Sequence, residues 1–216
     1  MLKFDYARNA LRYLVKKYEI TELYIPYYLC DVIRHTLFEE NCNPLFYHID
    51  DNFMPAEDFL KDSFILYPNY FGICSNNVDI LIKTYPKLIV DNAHAFYSKP
   101  KGLASFNSSR KFLTENKGAF LWLNHNEINP YKPDFRRQEL FYKYHQTYGN
   151  KNNLVIDINN DDIPFCYPYL ASTTKEADIL AKELTNEDKI IYRYWNNLPQ
   201  SFNEYKFYSR LVPIPL

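Results

Sequence analysis

Four side chains in this sequence have the type and spacing to do chemistry. Asp91 directly follows the apolar run Leu88-Ile89-Val90. A carboxylate at the end of a buried strand can hold a protonated ring nitrogen, a metal ion or a sugar hydroxyl. Its ordinary use is to cap a helix or close a turn. His94 stands three residues later, so both side chains reach one ligand if a helix starts there. A lone histidine is otherwise a satisfied neighbour. Lys111 closes the run Ser105-Phe106-Asn107-Ser108-Ser109-Arg110. The adjacent guanidinium lowers the lysine pKa and frees its amine for Schiff-base chemistry, and the nearby hydroxyls suit a phosphate. The plain alternative is a solvated Arg-Lys pair on a turn. Arg8 lies near a helix start, where backbone N–H groups favour anions; in isolation it is an ordinary surface arginine.

Elements that position these residues alternate along the chain. Ala10-Leu11, Leu14-Val15 and Tyr18 recur at helical spacing and predict a helix over residues 8–18. Short apolar runs predict strands at 23–25, 45–49, 64–67, 88–90, 104–106 and 119–123, with helices over 30–40 and 76–84 between them. Pro26 and Pro68 stop two of the strands. Strands alternating with helices imply an α/β architecture, a mostly parallel sheet covered on both faces. Ligands in such sheets sit beyond the carboxyl ends of the strands.

The chain becomes polar and charged over 124–153, with helical spacing over 136–148. A last unit follows: a strand at 165–167, a helix over 174–184 opened by Thr173 with Glu176 three residues on, and a strand at 190–194. Pro213 and Pro215 forbid a helix in the tail.

Composition narrows the function classes. The 216 residues are 47% hydrophobic and 24% charged, which suits one sizeable folded domain, or one domain with a small appendage. With 25 basic and 26 acidic residues, no global charge draws the chain to nucleic acid or an acidic membrane. Only four glycines are present, and no G-x-G-x-x-G or P-loop pattern can be built from them. The cysteines form no C-x-x-C, and the five histidines, at 35, 48, 94, 125 and 145, form no H-E-x-x-H, so no metal site is expected. No apolar run of about 18 residues spans a membrane, and the N-terminus lacks the apolar core of a signal peptide. The expected location is the cytoplasm.

The segments Arg8-Asn9-Ala10-Leu11, Tyr24-Ile25-Pro26, Phe46-Tyr47-His48-Ile49-Asp50, Tyr70-Phe71-Gly72, Val90-Asp91-Asn92-Ala93-His94-Ala95 and Ser109-Arg110-Lys111-Phe112-Leu113 occur in one order. That order resembles the large domain of the DegT/DnrJ/EryC1/StrS family, pyridoxal-phosphate-dependent sugar aminotransferases of fold type I. The resemblance runs from Phe4 to Leu123. It implies a mostly parallel mixed sheet sandwiched by helices, the PLP-transferase fold type I large domain, over 1–124. A shortened connecting region would occupy 125–162, and a small C-terminal α+β subdomain 163–216.

The resemblance also implies roles. Lys111 would bind pyridoxal 5'-phosphate covalently and move the proton. Asp91 would pair with the cofactor's ring nitrogen, and His94 would stand beside its phenolic oxygen. Ser105 or Ser108 would reach the phosphate, as would the helix start at Ala7, Arg8 and Asn9. Tyr28 or Cys30 would pack on the ring. The implied reaction transfers an amino group from a donor such as glutamate to a nucleotide-linked keto-sugar, in a homodimer. Small molecules, not nucleic acid or membrane, are the partners. The chain departs from the family at three places. Ala7 replaces the usual glycine before the helix, Lys117 reverses a charge in the turn after Lys111, and the stretch after Leu123 is short. Arg136 and Arg137 are the nearby candidates for a carboxylate-binding arginine. The alternative is a catalytically degenerate relative with a binding or structural role.

Overall fold

The computed structural model describes all residues except 115, 124, 125 and 188. Asn124 and His125, which the sequence analysis drew on, therefore lie outside the described residues. Helix α1 (Ala7–Lys17) buries Ala10, Leu11, Leu14 and Val15 on one stripe, and Lys16 and Lys17 close its last turn, where the helix dipole favours cations. The expected alternation then appears as β2 (Glu22–Pro26), α2 (Asp31–Glu39), β3 (Asn43–Tyr47), β4 (Ile65–Pro68), α3 (Ser75–Thr84), β5 (Leu88–Asn92), β6 (Ala104–Asn107) and β7 (Ala119–Trp122). A short strand that the pattern did not predict, β1 (Leu2–Phe4), precedes them. Three residues are too few to show a period.

Among the described residues, seven strands form one sheet in the order β1-β7-β6-β5-β4-β2-β3. The pairs β2–β3, β2–β4, β4–β5 and β5–β6 are parallel, whereas β1–β7 and β6–β7 are antiparallel. This is the expected mostly parallel mixed sheet between helical layers. Its strands are apolar on both faces. Leu66, Ile89 and Phe106 face the cluster built by α1 and α2, while Ile65, Tyr67, Leu88 and Val90 face the cluster that contains Val78 and Leu81 of α3. The two faces of β5 are thus fixed by its pleat.

The rest of the chain packs on the α3 side. Helix α4 (Phe135–Tyr148) presents Phe141 to that core, and β8 (Cys166–Leu170), α5 (Thr174–Asn186), α6 (Tyr205–Ser209) and β9 (Leu211–Pro215) follow. Thr173 caps α5 by accepting the Glu176 N–H at 3.1 Å. Strand β9 pairs antiparallel with β8, with Pro168 opposite Pro213. Proline offers no N–H to a ladder, which suits a two-stranded ribbon whose outer edges need no partner.

Two expectations are corrected. The strand predicted to reach Ile49 stops at Tyr47, and Ile49 makes an isolated bridge to Pro55. The strand predicted over 190–194 does not form, and residues 189–197 carry no helix or ladder. Trp195 there adopts φ 57°, a left-handed conformation that breaks an extended run.

Candidate active site

The site lies where the topology rule places it, beyond the carboxyl ends of the parallel strands. Register sets Asp91 opposite Phe106 and Asn92 opposite Asn107. The 3-10 turn Ser109–Lys111 then brings Lys111 back to the end of β5. Because Ile89 faces α1, Asp91, two residues on, faces the same way, toward the N-terminus of α1. A cleft opens there, lined among others by Arg8, Cys30, Asp91, His94, Lys111 and Trp195. It holds about 720 Å³ of empty space, counting the part open to solvent.

The Ala93 N–H donates to Asp91 Oδ1 at 2.8 Å, which holds the carboxylate in a turn. Burial pushes Asp91 above the ordinary carboxylate range; the Ala93 N–H and the Lys111 ammonium pull the other way. Burial also holds Lys111 below the usual lysine value, against the pull of Asp91 and Cys30, and Arg110 lowers it further. Among the described residues, Lys111 forms no hydrogen bond or ion pair. Its ammonium stands 5.7 Å from the centre of the Phe165 ring. Such a lysine is a better nucleophile near neutral pH than an exposed one.

His94 is buried, and burial followed by the Lys111 charge pushes its imidazole well below the usual value. The ring is therefore neutral at pH 7. It is stacked with Phe165 (centroids 4.6 Å apart, 15°) and with Trp195 (5.5 Å, 8°). Its Nε2 is buried and has no hydrogen-bond partner among the described residues. The His94 backbone is fixed by Gly72, where a Cβ would meet the His94 carbonyl oxygen at 2.5 Å. Gly72 has φ +72°, which glycine alone adopts cheaply.

At the other end of the cleft, Tyr6 precedes α1 and offers it no side-chain cap. The Asn9 N–H donates to the Tyr6 carbonyl at 2.9 Å, which leaves the N–H groups of Ala7 and Arg8 for an anion. Arg8 and Arg110 both lie over the Tyr6 ring, at 4.5 and 6.0 Å, and neither forms an ion pair among the described residues. Ala7 stands at the helix start and lines the cleft. Lys117, the reversed charge, pairs with Asp5 at 3.7 Å.

The structure gathers Lys111, Asp91, His94, Ser108 and Arg8 around one cleft. Asn9 and Ser105 are not among its lining residues. Ser105 alternates with Ala104 and Phe106 on β6, and these two face the α1 cluster, so Ser105 points to the opposite face. Tyr28 is wholly buried, with its hydroxyl 3.5 Å from the Phe207 carbonyl. Cys30 lines the cleft instead. Sequence reasoning missed Trp195 and Phe165, which come from the last third of the chain and carry no local signal. Beyond Lys111 a further cavity continues to Arg137, Cys166 and Tyr194. Arg137 donates to the Phe165 carbonyl at 3.2 Å and stacks on Phe112 at 4.9 Å. Arg136 instead pairs with Asp134 at 2.9 Å on the surface.

The fold is that of the sugar aminotransferases of the DegT/DnrJ/EryC1/StrS type. A Streptococcus pneumoniae protein described as a sugar aminotransferase, in its PMP form, superposes with TM-score 0.79 at 13% identity, over 100% of this chain and 80% of that one. A DegT DnrJ EryC1 StrS aminotransferase from Brucella abortus superposes with TM-score 0.75 at 12% identity, over 100% and 80%. Helicobacter pylori PseC, an aminotransferase involved in the biosynthesis of pseudoaminic acid, gives 0.70 at 15% identity, over 99% and 80%. No protein-family model and no curated protein matches the chain by sequence.

Proposed function

We propose that this chain is a pyridoxal-phosphate-dependent aminotransferase that transfers an amino group from an amino acid such as glutamate to a nucleotide-linked keto-sugar. The observation that carries the reading is the convergence of an unpaired Lys111, Asp91 and the orphaned Nε2 of His94 beside an uncapped helix N-terminus. These groups fit the cofactor. The N–H groups at the start of α1, with Arg8, Arg110 and Ser108, suit its phosphate. Asp91 suits a protonated ring nitrogen, and a neutral imidazole at His94 can share a proton with a phenolic oxygen. When bound, the cofactor supplies the electron sink and the temporary store for the amino group.

The protein's own part is positional and acid–base. Lys111 Nζ, held below the ordinary lysine value by burial, takes and returns a proton more readily than an exposed lysine. Arg137 presents a half-buried guanidinium, with no ion pair among the described residues, in the cavity that continues from Lys111; it suits the donor's carboxylate. Trp195 and Phe165 shelter the centre from water. The nucleotide-linked acceptor and the homodimer are what the resemblance implies. Among the described residues no helix is long and apolar enough to cross a membrane.

The test is to add pyridoxal phosphate to the purified protein, record the visible spectrum, reduce with borohydride and map the modified peptide. A visible band and a label on Lys111 are expected. No band and no label at saturating cofactor would overturn the reading in favour of a non-catalytic relative.

A further inference from the structure

We propose that a second cavity, on the opposite face of the same strand end, binds a neutral polyhydroxylated ligand such as a pyranose ring. Neighbouring side chains on a strand point to opposite faces. Asp91 faces the Lys111 cleft, so Asn92 faces away from it, toward α3. There a cavity of about 670 Å³ opens between α3, the segment 97–101 and the loop 159–162. That volume lies within the roughly 300–1,000 Å³ of small-molecule sites.

Asn92 lines this cavity and is 3% exposed. Its Oδ1 is buried and accepts no hydrogen bond among the described residues. A buried acceptor without a donor is costly unless a ligand or water supplies one. Its surroundings are otherwise organised. Asn69 donates to Ser75 Oγ at 3.2 Å, and the Asn159 N–H donates to Asp162 Oδ2 at 2.9 Å.

The charge pattern selects the ligand. Lys101 pairs with Asp79 at 2.5 Å and Lys99 with Asp161 at 3.0 Å, so both cations are already neutralised. The nearly buried Asp162 carboxylate disfavours an anion. Among the described residues no group of three or more His, Cys, Asp or Glu side chains is placed to hold a metal ion. What remains is a lining of amides, hydroxyls and one carboxylate, with Tyr97 and Phe135 as apolar surface. A hydroxyl donates once and accepts, so one ring hydroxyl can donate to Asn92 Oδ1 while accepting from an amide, and a second can donate to Asp162. The site does not depend on the chemistry at Lys111.

The test is saturation-transfer NMR on the full chain with D-glucose, D-galactose and N-acetyl-D-glucosamine together. Transfer to sugar ring protons is expected. Asn92→Leu should weaken binding roughly tenfold, the cost of one buried hydrogen bond. Asn160→Trp, on the exposed rim, should block it without touching the core, while Lys111→Ala should leave it unchanged. The proposal is overturned by no transfer (a site filled by solvent only), by equal transfer in both cavity variants, by loss in Lys111→Ala, or by displacement with inorganic phosphate.

Discussion

The imidazole of His94 and the indole of Trp195 lie 8° from parallel, with ring centroids 5.5 Å apart. The indole is thus an internal reporter of the cleft. The other tryptophan, Trp122, sits with Phe96 and Phe120 in a separate cluster. Adding pyridoxal phosphate is expected to quench the emission of Trp195 far more than that of Trp122. Trp195→Phe should abolish most of the quench, and a fluorescence titration of the two proteins checks this.

Asp91 should trade stability for binding. Burial holds its pKa above the ordinary 3.8, so the folded state binds more protons than the unfolded chain just above that value. Stability therefore falls as pH rises through the window from 3.8 to the raised native pKa, and stays reduced above it. Asp91→Asn keeps an oxygen for the Ala93 N–H and removes the buried charge. Its urea midpoint should exceed that of the parent at pH 7 and match it in strong acid, while cofactor retention drops.

His94 gives the opposite slope. Burial keeps its ring neutral in the fold well below the usual 6.5, but the unfolded chain protonates there. Stability should fall by about 1.36 kcal/mol for each pH unit below 6.5, until the native ring titrates. His94→Gln should remove that slope. Urea melts at two pH values on either side of 6 distinguish the outcomes; equal slopes in the two proteins would refute a neutral buried His94.

Gly72→Ala should damage the site from behind. The new Cβ meets the His94 carbonyl oxygen at 2.5 Å, and φ +72° is strained for alanine. A loss of about 1–3 kcal/mol is expected from the backbone term alone. Thermal unfolding measures it, and cofactor affinity should fall with it because His94 must shift.

Glu204 is a wholly buried carboxylate that accepts the Ile49 N–H at 2.8 Å and contacts His48 Nδ1 at 2.9 Å. Glu204→Leu leaves the Ile49 N–H without a partner, at a cost of about 1–3 kcal/mol. Glu204→Gln keeps an acceptor and should cost less, which a pair of urea titrations can resolve.

The parallel strands, their helices and the cleft at their ends were legible because each is written locally. Asp91 follows the apolar run Leu88-Ile89-Val90, His94 is counted from Asp91, and Lys111 comes a short polar turn after the strand at 104–106. The aromatic wall was not legible. Trp195 lies in a stretch whose residues Ile190 to Tyr194 alternate like a strand, but its left-handed backbone breaks the run. Contacts with His94, Tyr28 and Tyr70 place it, and no local pattern encodes those. Ser105 and Ser108 show the same limit at finer scale, since one residue of register decides which face a side chain takes.

The cleft draws Tyr6 and Arg8 from one end of the chain and Trp195 from near the other. Contacts so distant in sequence close late, after the local helices and the parallel pairs have formed. Ligand capture at this cleft is therefore a clock for refolding: it should start only when the last long loop has closed, and its onset marks the moment the molecule is complete.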